Sequence, residues 1–310
     1  MKRREFLKAG AVSGLVLPTV SGLVSNAEAA EAQAGNNKAK FKLRYAPHPG
    51  MFRHHAPGGY NDELKFAADQ GFVAWEDNGI RGRSAADQVK LGKEMSRLGI
   101  EMGIFVANDD GLSKPILTSG DQGMRDKFLA NIKETVEVAK RVNTKYVTLV
   151  IGTEAHRLPF GYQFANVVEA LKRGSALCEP SGLIMVAEPL NIYIDHPEFF
   201  GSSVSRMYAI MKAVNSPSCK ILFDIYHTQI NEGNLIPNID RSWDEVAYVQ
   251  TGDTPGRNEP GTGEINYRNV FHHIHKKGYK GILGMEHGLS KPGKEGEIAL
   301  IQSYRDADNF

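Results

Sequence analysis

From residue 41 to its end the chain repeats one rhythm: a short apolar run, a polar loop, then a stretch of helical periodicity. Eight such runs occur, at 41–46, 72–75, 100–107, 146–151, 183–187, 220–223, 246–249 and 281–285. Runs this short suit buried strands rather than helices. Between them, 84–98, 125–142, 164–178, 203–214 and 269–276 carry apolar residues at helical spacing. Gly71, Gly99, Gly182 and Gly278 each stand before the next run, where a left-handed residue ends a helix. Alternating strand and helix demands a parallel sheet with helices outside it. Eight repeats in about 270 residues predict an α/β protein with a single (β/α)8 barrel, the TIM barrel, over residues 41–310. The rival is a doubly wound open sheet, which would carry a glycine-rich phosphate loop after its first strand; Ala46-Pro47-His48-Pro49-Gly50 is not one.

The first 29 residues read differently from the rest. Lys2, Arg3 and Arg4 lead into Glu5, Phe6, Leu7 and Lys8; an uncharged, small and apolar stretch runs over 9–24, and Ala27-Glu28-Ala29 offers a small-x-small cleavage site. This is the order of a signal peptide, and Arg3-Arg4-x-Phe6-Leu7-Lys8 matches the twin-arginine variant, which exports folded proteins. The expected address is periplasmic or secreted. Residues 30–40, rich in Ala, Asn and Lys, read as a linker. No later segment reaches the ~18 consecutive apolar residues of a membrane span, so no membrane partner is expected after cleavage.

The formal net charge of +1, from 37 basic and 36 acidic residues, gives no electrostatic footprint for nucleic acid and points to a small-molecule partner. The only cysteines, Cys178 and Cys219, allow one bridge; two buried thiols are the preferred reading, since one falls at a helix end and the other at a strand entry.

In such a barrel the chemistry sits at the C-terminal ends of the strands. Strands five to eight close with Glu188, Asp224, Gln250 and Glu286, about one βα repeat apart. A lone carboxylate there can simply cap the following helix. Four oxygen-bearing side chains in register instead suit a hard divalent cation, Mg²⁺ or Mn²⁺, because buried like charges need a positive partner.

From Leu183 onward the text resembles the xylose isomerase-like barrels of sugar isomerases and epimerases, most of all their hydroxypyruvate isomerase branch. The resemblance rests on Ala187-Glu188-Pro189-Leu190-Asn191, on Phe223-Asp224-Ile225-Tyr226-His227-Thr228-Gln229-Ile230, on the run 252–267 (GDTPGRNEPGTGEINY) and on Gly281-Ile282-Leu283-Gly284-Met285-Glu286. It implies that Glu188 and Glu286 are both metal ligands and the acid–base pair, with Asp224 and Gln250 completing the metal shell. Many relatives carry histidine at the position of Gln250, whereas the hydroxypyruvate isomerase branch carries glutamine. His227 and Arg257 match positions that contact substrate oxygens. The first half, with His48, Arg53, His54 and His55 after strand one and Asn108-Asp109-Asp110 after strand three, departs from the family's text, as does the export signal.

The implied reaction is aldose–ketose interconversion of a carbohydrate or keto acid. One glutamate removes the α-proton and the other returns it through a cis-enediolate. Glu76, Glu154 and Glu264 are lesser candidates, the last as a brace within its loop. A rival enzyme is an exported lyase that splits a 3-keto-glycoside by β-elimination at the same site. A rival of another class is a non-catalytic sugar-binding barrel, disfavoured by the paired glutamates.

Overall fold

All eight apolar runs become parallel strands: β1 Arg44–Ala46, β2 Ala74–Trp75, β3 Glu101–Met102, β4 Tyr146–Leu149, β5 Ile184–Ala187, β6 Cys219–Asp224, β7 Val246–Thr251 and β8 Ile282–Met285. The protein is seen in a computed structural model that describes residues 40–108 and 110–310. The expected signal peptide and the linker up to residue 39 lie outside the described residues.

Six strands form one curled parallel sheet in the order β1-β8-β7-β6-β5-β4, and β2 pairs with β3 in a second. The single eight-stranded ladder expected from the rhythm is therefore interrupted. The runs 72–75 and 100–107 yield only two ladder residues each, and Gly103, directly after β3, lies where a Cβ would stand 2.3 Å from the Tyr248 hydroxyl. Backbone bonds flank the short pair on both sides: Glu76 N–H donates to Pro47 O at 2.9 Å, and Thr148 N–H donates to Phe105 O at 3.0 Å.

The helices are α1 Tyr60–Asp69, α2 Ala85–Leu98, α3 Gln122–Val142, α4 Phe160–Cys178, α5 Val204–Val214, α6 Ile225–Asn231, α7 Leu235–Ser242, α8 Tyr267–Lys276 and α9 Gly293–Asp308. Ser84, Asp121, Ser203 and Asn266 cap α2, α3, α5 and α8 through their side-chain oxygens. The four glycines read as helix stops all have positive φ, between 70° and 91°.

Side chains alternate across the sheet with period two. On β6, Cys219, Ile221 and Phe223 join the large core shared with the helices, while Leu222 faces the other way. Leu222 meets Ala46, Ala74, Ile104, Val186, Tyr248 and Ile282 in a small apolar cluster on the inner face. Two residues beyond Ala74, Val186, Leu222, Tyr248 and Ile282 come Glu76, Glu188, Asp224, Gln250 and Gly284, so strand parity aims all five inward above that apolar floor.

Both cysteines are free and buried, and the Cys219 thiol lies 3.6 Å from the Met211 sulfur; no bridge forms.

Candidate active site

Register places the site residues side by side. Asp224 on β6 pairs with Gln250 on β7, and Gln250 pairs with Gly284 on β8. Glu188 follows the last residue of β5, and Glu286 follows the last residue of β8. All four expected ligands reach one region, and Glu188, Gln250 and Glu286 line a common cavity of about 240 Å³ with His196 and His227.

Asp224 caps the following helix with one oxygen and leaves the other unpaired. Its Oδ1 accepts from Tyr226 N at 2.6 Å and His227 N at 3.2 Å, capping α6, while Oδ2 is buried without a hydrogen-bond partner. Glu188 Oε1 and Gln250 Oε1 are buried and unpartnered in the same way. Unpaired buried acceptors are costly, and three such oxygens from adjacent strands form a donor set that fits a divalent cation. Asp224, Glu188 and His227 bring ligand atoms within 4.8 Å of one another.

The acids strain against one another. Burial, then the charges of Glu286 and Asp224, holds Glu188 well above the usual carboxylate range. Burial also pushes Glu286 up to about 7, opposed by Arg257 and reinforced by Asp224, although its side chain keeps 31% exposure at the cavity. Asp224 is raised by burial, with Arg257 opposing.

Arg257 is the counter-charge. Its Nη2 donates to Glu286 Oε2 at 2.8 Å and lies 3.7 Å from Asp224 Oδ2; its guanidinium stacks 4.7 Å over Tyr226. Burial disfavours its charge, but Glu286, Asp224 and Glu188 outweigh that and raise its pKa above the ordinary value. The motif 252–267 exists to hold it. The buried Asp253 carboxylate accepts from Thr254 N, Ile265 N and Gly261 N at 2.8–3.1 Å, and Gly288 N donates to Arg257 O at 2.9 Å. Within this frame Arg257 takes a left-handed φ of 48°.

His227 is buried. Its Nδ1 accepts from Asn191 N at 3.1 Å and from Asn191 Nδ2 at 2.7 Å, which puts the ring proton on Nε2. That atom lies 3.6 Å from Glu188 Oε1 and 3.3 Å from Arg257 Nη2. Burial, then Arg257, holds its pKa well below the usual histidine value, so the ring is a neutral donor.

The lesser candidates separate. Glu76, 2% exposed, lies at the centre, accepting from Tyr248 Oη at 2.8 Å and from Gln250 Nε2 at 3.2 and 3.4 Å. Burial, then Glu286, pushes it up to about 8. Glu154 is instead 44% exposed and stands 3.7 Å from Arg206. Glu264 ties its loop to α6, accepting from Gln229 Nε2 at 3.0 Å. Of the unusual loop after β1, His48 joins Asn78 and Glu286 in a cavity of about 340 Å³, and it also borders a wider one of about 640 Å³ with Arg53, His54 and Lys291. His54 and His55 both bind Glu297, at 2.8 and 2.6 Å. Asn108 lines the first cavity and Asp110 pairs with Lys127. Asn78, which hydrogen-bonds Glu286, and His196 were not foreseen; they stand in the loops after β2 and β5, beyond the residues that close those strands.

Inward-facing acids at the ends of parallel strands, with a neutral histidine and an arginine beside them, mark the site of an α/β enzyme. The chain belongs to the xylose isomerase-like TIM-barrel family, whose family model matches residues 64–306. It is 29% identical over 189 residues to the hydroxypyruvate isomerase of Escherichia coli K12, covering 59% of this chain and 70% of that one. It is 26% identical over 255 residues to the 2-oxo-tetronate isomerase of Cupriavidus necator, covering 82% and 95%. Among solved structures, the family 2 AP endonuclease of Brucella melitensis superposes with a TM-score of 0.72 at 22% identity, covering 84% of this chain and 99% of that one.

Proposed function

We propose that this isomerase interconverts a carbonyl and its neighbouring hydroxyl on a small keto acid or sugar, with hydroxypyruvate as the reference substrate. It does so with Mg²⁺ or Mn²⁺ held by Glu188, Asp224, Gln250 and Glu286. In this reading β2 and β3 complete a closed eight-stranded barrel around the site. The observation that carries the proposal is the trio of buried, unpartnered oxygens on Glu188, Asp224 and Gln250.

When bound, the cation supplies charge that offsets the negative charge developing on the substrate oxygens. The chain's own residues do the rest. One of Glu188 and Glu286 takes the proton from the α-carbon, leaving a cis-enediolate, the other delivers a proton to the adjacent carbon, and the proton of the original hydroxyl passes to the former carbonyl oxygen; two carboxylates on separate strands allow this without the substrate turning over. The Nε2–H of His227 donates to a substrate oxygen, with Asn191 fixing the tautomer that makes this possible. Arg257, paired here with Glu286, would bind a substrate carboxylate or hydroxyl pair through its guanidinium fork. The test is hydroxypyruvate turnover by the purified protein before and after chelation, with elemental analysis of the metal it carries.

The groove favours a second reading. Glu286 and His48 border one cavity, and His48 also borders the 640 Å³ basin, more space than a three-carbon acid fills. A 3-keto-glycoside would extend into it. One carboxylate would remove the proton beside the ketone, and the other would protonate the glycosidic oxygen as it leaves. Assaying a 3-keto-glucoside beside hydroxypyruvate separates the two. We also propose export by the twin-arginine route, supported by residues 2–8 and the small-x-small site at 27–29.

A further inference from the structure

Glutamine is an ambiguous metal ligand. Its amide offers an oxygen on one side and two N–H donors on the other, and the two orientations are nearly equal in shape. A site that uses Gln250 must decide which side faces the ligands. A histidine ligand raises the question less sharply, a carboxylate not at all.

The decision is built into the sheet. Gln250 Nε2 lies 3.2 and 3.4 Å from the two carboxylate oxygens of Glu76, and Gln250 Oε1 is left buried with no protein partner. Glu76 is fixed in turn by Tyr248, two residues before Gln250 on the same face of β7, whose hydroxyl donates to Oε1 at 2.8 Å. Space for the Glu76 carboxylate comes from the row of residues beside Gln250. Its partner across β8 is Gly284, whose own partner on β1 is Ala46. A Cβ on Gly284 would stand 1.8 Å from Glu76 Oε1. The carboxylate thus occupies the place of a side chain that β8 lacks.

We infer that Glu76 is a positioning residue: it holds the Gln250 amide with its N–H groups turned away from the ligand cluster and its oxygen turned toward it, and Gly284 is glycine to admit it. This rests on the metal-site reading above. Neither Glu76 nor Gly284 is placed on the cation or the substrate.

The experiment is a double-mutant cycle read by calorimetric titration of Mn²⁺ into chelated protein at one pH. Glu76→Gln keeps the shape but gives residue 76 donors of its own, so the Gln250 amide is free to turn over. Loss of an outer partner of a ligand costs about 10- to 100-fold in metal affinity, and that is the fall expected. In the Q250E background the ligand is symmetric and has no wrong way round, so adding E76Q should leave Mn²⁺ affinity within about threefold or improve it. Gly284→Ala displaces the Glu76 carboxylate without removing it and should repeat the pattern, which keeps the test available if E76Q does not fold. Equal losses from E76Q in both backgrounds, or unchanged affinity in E76Q alone, overturn the inference while leaving the metal site standing. A wild-type protein that takes up no Mn²⁺ overturns both.

Discussion

Arg257 and Glu286 form a 2.8 Å ion pair at the mouth of the acid cluster, and the same guanidinium stands 3.7 Å from Asp224. Without a cation, this arginine is the positive charge nearest to them in the cavity. Arg257→Gln should therefore destabilise the metal-free protein by about 1–3 kcal/mol, the usual consequence of leaving a buried group without its partner. The variant should also raise KM for an anionic substrate. Thermal unfolding with and without Mn²⁺ checks this: the loss should shrink when the ion is present, because the ion takes over the compensation.

The raised carboxyl pKa values fix the sign of a pH effect. In the metal-free protein Glu286 titrates at about 7 and Glu76 at about 8, both above their ordinary value of 4.5. Groups raised in this way contribute stability that is full below the ordinary value and is lost as pH climbs through 7 and 8. Chelated protein should lose thermal stability between pH 5 and about 8. Protein in excess Mn²⁺ should not, because the ligands must be ionised to bind and affinity grows with pH. Unfolding curves that run parallel in the two conditions would remove the cation from the account.

Much of this site was legible as sequence because parallel strands announce themselves. An apolar run broken by Glu188, Asp224 or Glu286 marks both a strand end and an inward-facing acid, and Gly99 or Gly182 marks where the preceding helix must stop. Glu76 was harder. As text it looks the same as Glu154, an acid after a short strand. Glu76 is buried at the centre, where Gly284, far along the chain, leaves room for it, whereas Glu154 points to solvent. Helices α6 and α7 were likewise hidden: α6 starts on Asp224, which also reads as the end of a strand, and α7 is too short for a clear period. The eight-stranded ladder is discontinuous at β2 and β3, which keep two ladder residues each, although Gly103 N–H still donates to Trp75 O at 2.7 Å beyond them.

Export is tested apart from catalysis. Replacing Arg3 and Arg4 together by lysine should leave the precursor in the cytoplasm, while the folded enzyme keeps its activity in lysates. Mature protein delivered outside at the normal rate would contradict the twin-arginine reading.

The central claim is that Glu188 and Glu286 exchange a proton with the carbon beside a carbonyl. It is tested most directly by following deuterium uptake at that carbon of hydroxypyruvate in D₂O by NMR, with Mn²⁺ or Mg²⁺ present. Proton abstraction shows in this signal even where product does not accumulate. A placed acid or base contributes about 10²- to 10⁴-fold, so Glu188→Gln and Glu286→Gln should each slow enzyme-catalysed exchange or turnover by at least about a hundredfold while the protein stays folded. Exchange at the wild-type rate in both variants would contradict the account, and would assign the proton to another base in the cavity.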